Sequence, residues 1–192
     1  MRPEELRRIF SQRPKKVINA RDRVMSAVLV PVFYKNRDYH ILFTKRSFKV
    51  ASHQGQVSFP GGAYSEADES LLDTALRESW EEIGLKPEDA DVIGELDDAL
   101  TTTSNYIIKP YIAIIPYPYK FTMNPNEISE IFDVPLTHLM NKLNFKEEIQ
   151  KEGEAFHRVF YYKYKGKIIW GATAYILKRF LDSIEAACGA RK

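Results

Sequence analysis

Apolar and polar positions alternate between two periods along this chain. Residues 25–34, MSAVLVPVFY, are rich in β-branched side chains and predict a buried strand, with Pro31 confined to an edge or a bulge. Asn36-Arg37-Asp38 is turn material, and residues 39–45 predict a second strand, which makes a hairpin. Residues 46–55 read as a polar loop, and residues 56–59 as a short strand stopped by Pro60-Gly61-Gly62. The period then changes. Leu72, Ala75, Leu76, Ser79 and Ile83 recur at helical spacing and predict a helix over 71–83, ended by Gly84 with Pro87 beyond. Residues 92–100 and 107–116 predict strands. Residues 135–140 predict a short helix introduced by the acidic-apolar segment NEISEIFDVPL. Residues 156–164 and 167–170 predict a hairpin around Lys165-Gly166, and residues 172–187 a closing helix with Tyr175, Ile176, Phe180 and Ile184 on its apolar face. A first short helix over 3–12 is opened by Pro3, and a polar connection follows it to residue 23. Strands interleaved with two substantial helices predict an α/β or α+β sandwich.

Composition narrows this further. At 192 residues with 44% apolar content, one ordinary domain with a real core is expected. A single cysteine, Cys188, excludes an intrachain disulfide framework and a Cys-rich zinc site. No apolar run is long enough to span a membrane, and the first ten residues lack the apolar stretch of a secretory leader, so a cytoplasmic protein is expected. The net charge of +2 hides a segregation. Residues 66–98 hold thirteen acids against two bases, whereas residues 1–49 hold thirteen bases against four acids. The basic stretch attracts an anionic substrate or is merely a solvated face. It has neither interleaved aromatics nor a nucleic-acid-binding motif, so no nucleic-acid partner is expected.

The chemistry concentrates in the acidic stretch. On a helix, Glu78, Glu81 and Glu82 stand at i, i+3 and i+4, so three like charges share one narrow face. Arg77 supplies one counter-charge, which is too little for three carboxylates. A hard divalent cation, Mg²⁺ or Mn²⁺, completed by water and substrate phosphates, fits the remainder. The competing reading is a plain solvated acidic face.

The segment 62–85, GAYSEADESLLDTALRESWEEIGL, resembles the Nudix box. Arg77, Glu78, Glu81, Glu82, Gly84 and Leu85 match in register, and Glu69 matches its first glutamate. Gly62 stands one residue early, which marks an insertion at the front of the box, and Ser79 stands where an aliphatic or small residue is usual. Upstream, Leu42-Phe43-Thr44-Lys45-Arg46-Ser47 followed after eleven residues by Phe59-Pro60-Gly61-Gly62 resembles the signature of the coenzyme A diphosphatase branch of Nudix hydrolases. His53-Gln54-Gly55-Gln56 and the late segment 169–174, IWGATA, are similar to that branch too. The resemblance implies a Nudix-type α/β/α sandwich with a mixed central sheet and a loop-helix catalytic motif. It would occupy residues 24–188, behind an N-terminal helix and connection over 1–23.

It also implies an activity: metal-dependent hydrolysis of the diphosphate bond of coenzyme A or a derivative. ADP-ribose or another nucleoside-diphosphate compound is the alternative substrate, and a non-catalytic nucleotide-binding regulatory domain is the alternative of another class. Glu78, Glu81 and Glu82 would hold the metal, and Arg77 would organise their carboxylates. Glu69 would either support the loop-to-helix geometry or cap the helix. The general base is open between a glutamate of the box, Glu127 and Glu130, with Glu127 favoured because it follows a loop. Lys45, Arg46, Ser47 and His53 are candidate contacts to the substrate's phosphates, and Gly61 and Gly62 would permit close backbone approach. A homodimer is compatible with the composition.

Overall fold

The computed structural model describes residues 2–11, 13–20, 22–50, 52–101, 104–152 and 155–189. In chain order its elements are α1 (Pro3–Ser11), β1 (Val24–Lys35), β2 (Asp38–Arg46), β3 (Val57–Ser58), β4 (Gly61–Ala63), α2 (Leu71–Ile83), β5 (Asp91–Glu95), β6 (Ala99–Leu100), β7 (Tyr106–Ile114), β8 (Ile128–Pro135), α3 (Leu136–Met140), β9 (Phe145–Glu152), β10 (Ala155–Tyr164), β11 (Lys167–Trp170) and α4 (Gly171–Gly189). The expected helices and the two expected hairpins are present. Asn36 and Arg37 both take positive φ, as a two-residue hairpin turn of the right twist requires, and so do Lys165 and Gly166.

The main sheet runs β3-β2-β1-β7-β5, with β4 also on β1, β6 on β7 and β8 on β2. β1 and β7 are parallel and the other pairs antiparallel, so the sheet is mixed, as expected. Strand alternation sorts side chains onto its two faces. Leu29, Phe33, Leu42 and Ala113 pack with Ile83 and Leu85 beneath α2. Val30, Val32, Ile41, Phe43 and Ile112 point the other way, into a larger core with Leu6 and Phe10 of α1 and Ile176, Phe180 and Ile184 of α4. Phe10 stacks on Phe180 at 5.0 Å between ring centroids, so the first helix is part of this core. A second sheet, β11-β10-β9, closes that side. No helix among the described residues is long and apolar enough to cross a membrane.

Three local expectations are corrected. Pro31 lies in an interior strand, but in a gap: β1 pairs with β4 only through Val28 and with β2 only from Val32, so the missing N–H breaks no ladder there. Gly61-Gly62 do not end a strand; they form one. The expected strand over 92–100 is split at Leu96-Asp97-Asp98, because both aspartates turn inward to bind the N-terminal connection. The segment 128–135 leads into the expected short helix, α3, and is itself strand β8; residues 145–152 add β9, which polar composition conceals.

Candidate active site

The expected catalytic helix is α2, and its ends show how the sequence fixes it. Ser70 caps its start by accepting from the Asp73 N–H at 3.2 Å. Gly84 ends it in the left-handed region at φ 68°. The last carbonyls of a helix lack intrahelical partners. Here Thr122 N–H donates to Ile83 O and Asn124 N–H to Glu82 O, each at 2.9 Å. The segment that caps the helix thereby brings Glu127 against it.

Glu78, Glu82 and Glu127 each offer a carboxylate oxygen within 4.8 Å of the other two. Glu82 is the deepest, 1% exposed, with the Gly61 N–H at 3.3 Å and the Arg46 guanidinium at 3.6 Å as its neighbours. Burial pushes its pKa up to about 8, against the opposing pull of Arg46. Burial also raises Glu78, opposed by its hydrogen bond from Arg77. Three convergent carboxylates, two of them costly to ionise without a counter-charge, are a donor set suited to a hard divalent cation.

Of the residues expected to hold metal, the structure brings Glu78 and Glu82 together and leaves Glu81 outside. Glu81 lies on the solvent side of the helix, its side chain 46% exposed, and accepts from Arg77 at 3.1 Å. Glu127, expected as a base, joins the cluster. Glu130 faces elsewhere and pairs with Lys167 at 2.9 Å.

Arg77, expected to orient the helix carboxylates, bonds Glu78 and Glu81, but its main partner is Asp68. The guanidinium grips both Asp68 oxygens, at 2.8 and 3.0 Å, and also reaches Glu78 at 2.8 Å. Asp68 accepts further from Ser65 N–H and Thr74 Oγ1, and the Arg77 fork holds its carboxyl far below the usual range. Glu69, expected to support this loop, is exposed, and Ser70 is the cap. Its neighbour Asp68 is the residue that turns inward. Asn124 was also missed: its Nδ2 donates to Glu127 Oε1 at 2.9 Å. Its single clue was proximity to Glu127.

A cleft of about 300 Å³ adjoins the carboxylates, lined by Arg46, His53, Gly61, Gly62, Tyr106 and Trp170 among others. Arg46 alternates onto the α2 face of β2, and its buried Nε has no hydrogen-bond partner. A bulge at Lys45/Arg46 helps to aim it, fastened by Ser129 Oγ to the carbonyls of Lys45 and Arg46. Lys45 does not line the cleft. Ser47 is buried; its N–H donates to the Glu127 carbonyl at 2.7 Å, which makes it a support for Glu127. His53 lines the cleft and bonds Gln56 at 3.1 Å.

The NUDIX domain profile matches residues 24–158. An uncharacterized Nudix hydrolase, NudL, of Photorhabdus laumondii is 34% identical over 161 residues, 83% of this chain and 84% of that protein. NudL of Pectobacterium atrosepticum is 33% identical over 175 residues, 91% and 84% of the two chains. Among solved structures, a MutT/nudix family protein from Enterococcus faecalis superposes with a TM-score of 0.57 at 13% identity, over 89% of this chain and 66% of that one. The NUDIX domain of Shewanella oneidensis NrtR, complexed with ADP ribose, superposes at 0.50 with 20% identity, over 62% and 76%. Those identities speak for the fold alone. The profile match and the curated relatives go further: the chain belongs to the Nudix hydrolase family.

Proposed function

We propose that the protein hydrolyses the diphosphate bond of coenzyme A or its derivatives, with Mg²⁺ or Mn²⁺, to 3′,5′-ADP and 4′-phosphopantetheine. The observation that carries the reaction is the convergence of Glu78, Glu82 and Glu127 beside a cleft that Arg46 lines. The substrate rests on the resemblance of residues 42–62 to the coenzyme A diphosphatase signature.

In this reading Glu78 and Glu82 hold the cation, which when bound neutralises phosphate oxygens and makes water a better nucleophile. Arg46 binds a phosphate oxygen. Glu127, on a separate loop, takes the proton from the attacking water. The water oxygen bonds to one phosphorus and the bridging oxygen leaves with the other phosphate. Positioning and charge neutralisation do the work, and no covalent nucleophile is required. Arg77 and Glu81 take no part in the bond changes: Arg77 holds Glu78 in orientation, and Glu81 helps to balance the Arg77 charge.

The purified chain with Mg²⁺ or Mn²⁺ is offered coenzyme A, dephospho-coenzyme A, ADP-ribose, NADH and dinucleoside polyphosphates, and the products are resolved by chromatography. Cleavage of coenzyme A to the two named products is expected. Turnover of ADP-ribose with coenzyme A untouched would replace the substrate but keep the reaction class. No turnover with either metal would leave a nucleotide-binding regulatory domain.

A further inference from the structure

The β9–β10 hairpin carries an apolar stripe that runs out of the core. Along one of its faces Phe145 opposes Tyr162, Glu147 opposes Phe160, Ile149 opposes Arg158 and Lys151 opposes Phe156. Tyr162 is buried, and Phe145 and Phe160 pack against the larger core. Further along the same face, Ile149 is 71% and Phe156 70% exposed, and the two are diagonal neighbours. β9 is the end strand of its sheet, hydrogen-bonded to β10 alone among the described residues. An open edge bearing exposed apolar side chains invites another strand.

We propose that β9 pairs antiparallel with β9 of a second copy of this chain, on a two-fold axis at Ile149, joining two three-stranded sheets into one of six strands. The charge sequence selects both the occupant and the register. With the axis at Ile149, Ile149 meets its own copy, and Glu147 faces Lys151 of the partner subunit on each side of the axis. Glu148 faces Gln150 of the partner subunit. An axis at Glu147 or Glu148 sets like charges face to face, which is unfavourable across strands. An axis at Gln150 sets Ile149 against Lys151. Only the Ile149 register joins two opposite-charge pairs to an apolar centre. It also gathers Ile149 and Phe156 of both copies into one patch and gives the edge N–H and C=O groups of β9 partners. Glu147, held by Arg158 at 3.3 Å within its own hairpin, would lie between two cations. The pairing is independent of the proposed reaction, since β9 contributes nothing to the carboxylate cluster or the cleft.

The test uses the full chain in sedimentation velocity over a dilution series. The wild type is expected to associate reversibly to a dimer. Glu147→Lys and Lys151→Glu should each weaken the dimer by about tenfold or more, and the double exchange should restore it. In a second arm, Ile149→Cys is placed in a Cys188→Ser background, which removes the chain's exposed native thiol. Residues directly opposite across antiparallel strands have Cβ atoms about 5 Å apart, so mild oxidation should give a covalent dimer. A wild type that stays monomeric throughout, or a dimer indifferent to both charge reversals, overturns the pairing. If a charge variant fails to fold, the cysteine arm decides, because it keeps the native charges: absence of the covalent dimer overturns the pairing.

Discussion

Asn124 holds Glu127 with its side chain and α2 with its backbone: Nδ2 donates to Glu127 Oε1, and the N–H donates to the Glu82 carbonyl, both at 2.9 Å. The amide's orientation is fixed from the other side, where Asn124 Oδ1 accepts from the Asn126 N–H at 3.1 Å. One residue therefore sets the distance between two of the three clustered carboxylates. A positioned general base contributes about 10²–10⁴-fold to turnover. Asn124→Ala should lower kcat by about tenfold or more, while thermal melting changes little because the backbone bond remains. Unchanged kcat would reduce this hydrogen bond to a loop fastener.

The two glycines of β4 separate site from scaffold. A Cβ on Gly62 would lie 2.4–2.6 Å from the Glu78 carboxylate, a side-chain end that can move aside. Gly62→Ala should fold, yet bind Mn²⁺ more weakly and turn over more slowly. A Cβ on Gly61 would meet Ala27 O at 2.3 Å and Val28 Cα at 2.6 Å, which are backbone, and φ there is 151°. Gly61→Ala should lower the melting temperature before it affects anything else. If the two variants show the reverse pattern, this division of roles fails.

Asp68 and Glu69 are neighbours with opposite fates. Asp68 has a side chain 4% exposed and carries four hydrogen bonds, two from Arg77. Breaking a buried ion pair by removing one charge costs about 3 kcal/mol. Asp68→Asn should therefore destabilise clearly in urea denaturation, while Glu69→Gln should be near neutral. The native Asp68 pKa lies below its unfolded value. Its stabilisation is thus complete above the ordinary aspartate range and is lost as pH falls through the depressed value. The wild-type advantage over Asp68→Asn should accordingly shrink on acidification. An advantage that grows on acidification would contradict the assignment.

Elements whose period is clean were legible in the sequence. Helix 71–83 shows its apolar face, cap and stop in one short run, and the turns at Asn36-Arg37 and Lys165-Gly166 are set by local chemistry. β8 and β9 were not legible, because their sequences, ISEIFDVP and FKEEIQKE, carry polar residues at both parities; β8 owes its pairing to the distant β2, and β9 pairs with its neighbour β10 without a clean alternation to announce it. The site divides in the same way. Glu78 and Glu82 follow from helical spacing. The choice of Glu127 over Glu81 as the third member depends on which side of α2 meets the 122–127 segment, a tertiary fact. Likewise, Arg46 and Lys45 are indistinguishable by composition, and only the folded chain separates them: Arg46 lines the cleft and Lys45 does not.

Glu82 sets function against stability. Its carboxyl is pushed up to about 8 by burial, from an ordinary value of 4.5. Between those values the folded metal-free protein keeps a proton that the unfolded chain has released. The fold therefore loses stability as pH rises through this window, by about 1.4 kcal/mol per unit at most for one group. Cation binding must displace that proton, so affinity for Mn²⁺ should rise with pH up to about 8 and level off above it. Glu82→Gln removes the charge but keeps the shape. In the absence of metal it should raise the melting temperature at pH 8, leave it nearly unchanged at pH 5, and abolish turnover at both. Thermal melts of the two proteins at the two pH values, without metal and with Mn²⁺, check each part. A Glu82→Gln variant that is less stable than wild type at pH 8 without metal would show that the carboxylate is compensated by the protein alone, and the case for a cation beside it would lose its physical basis.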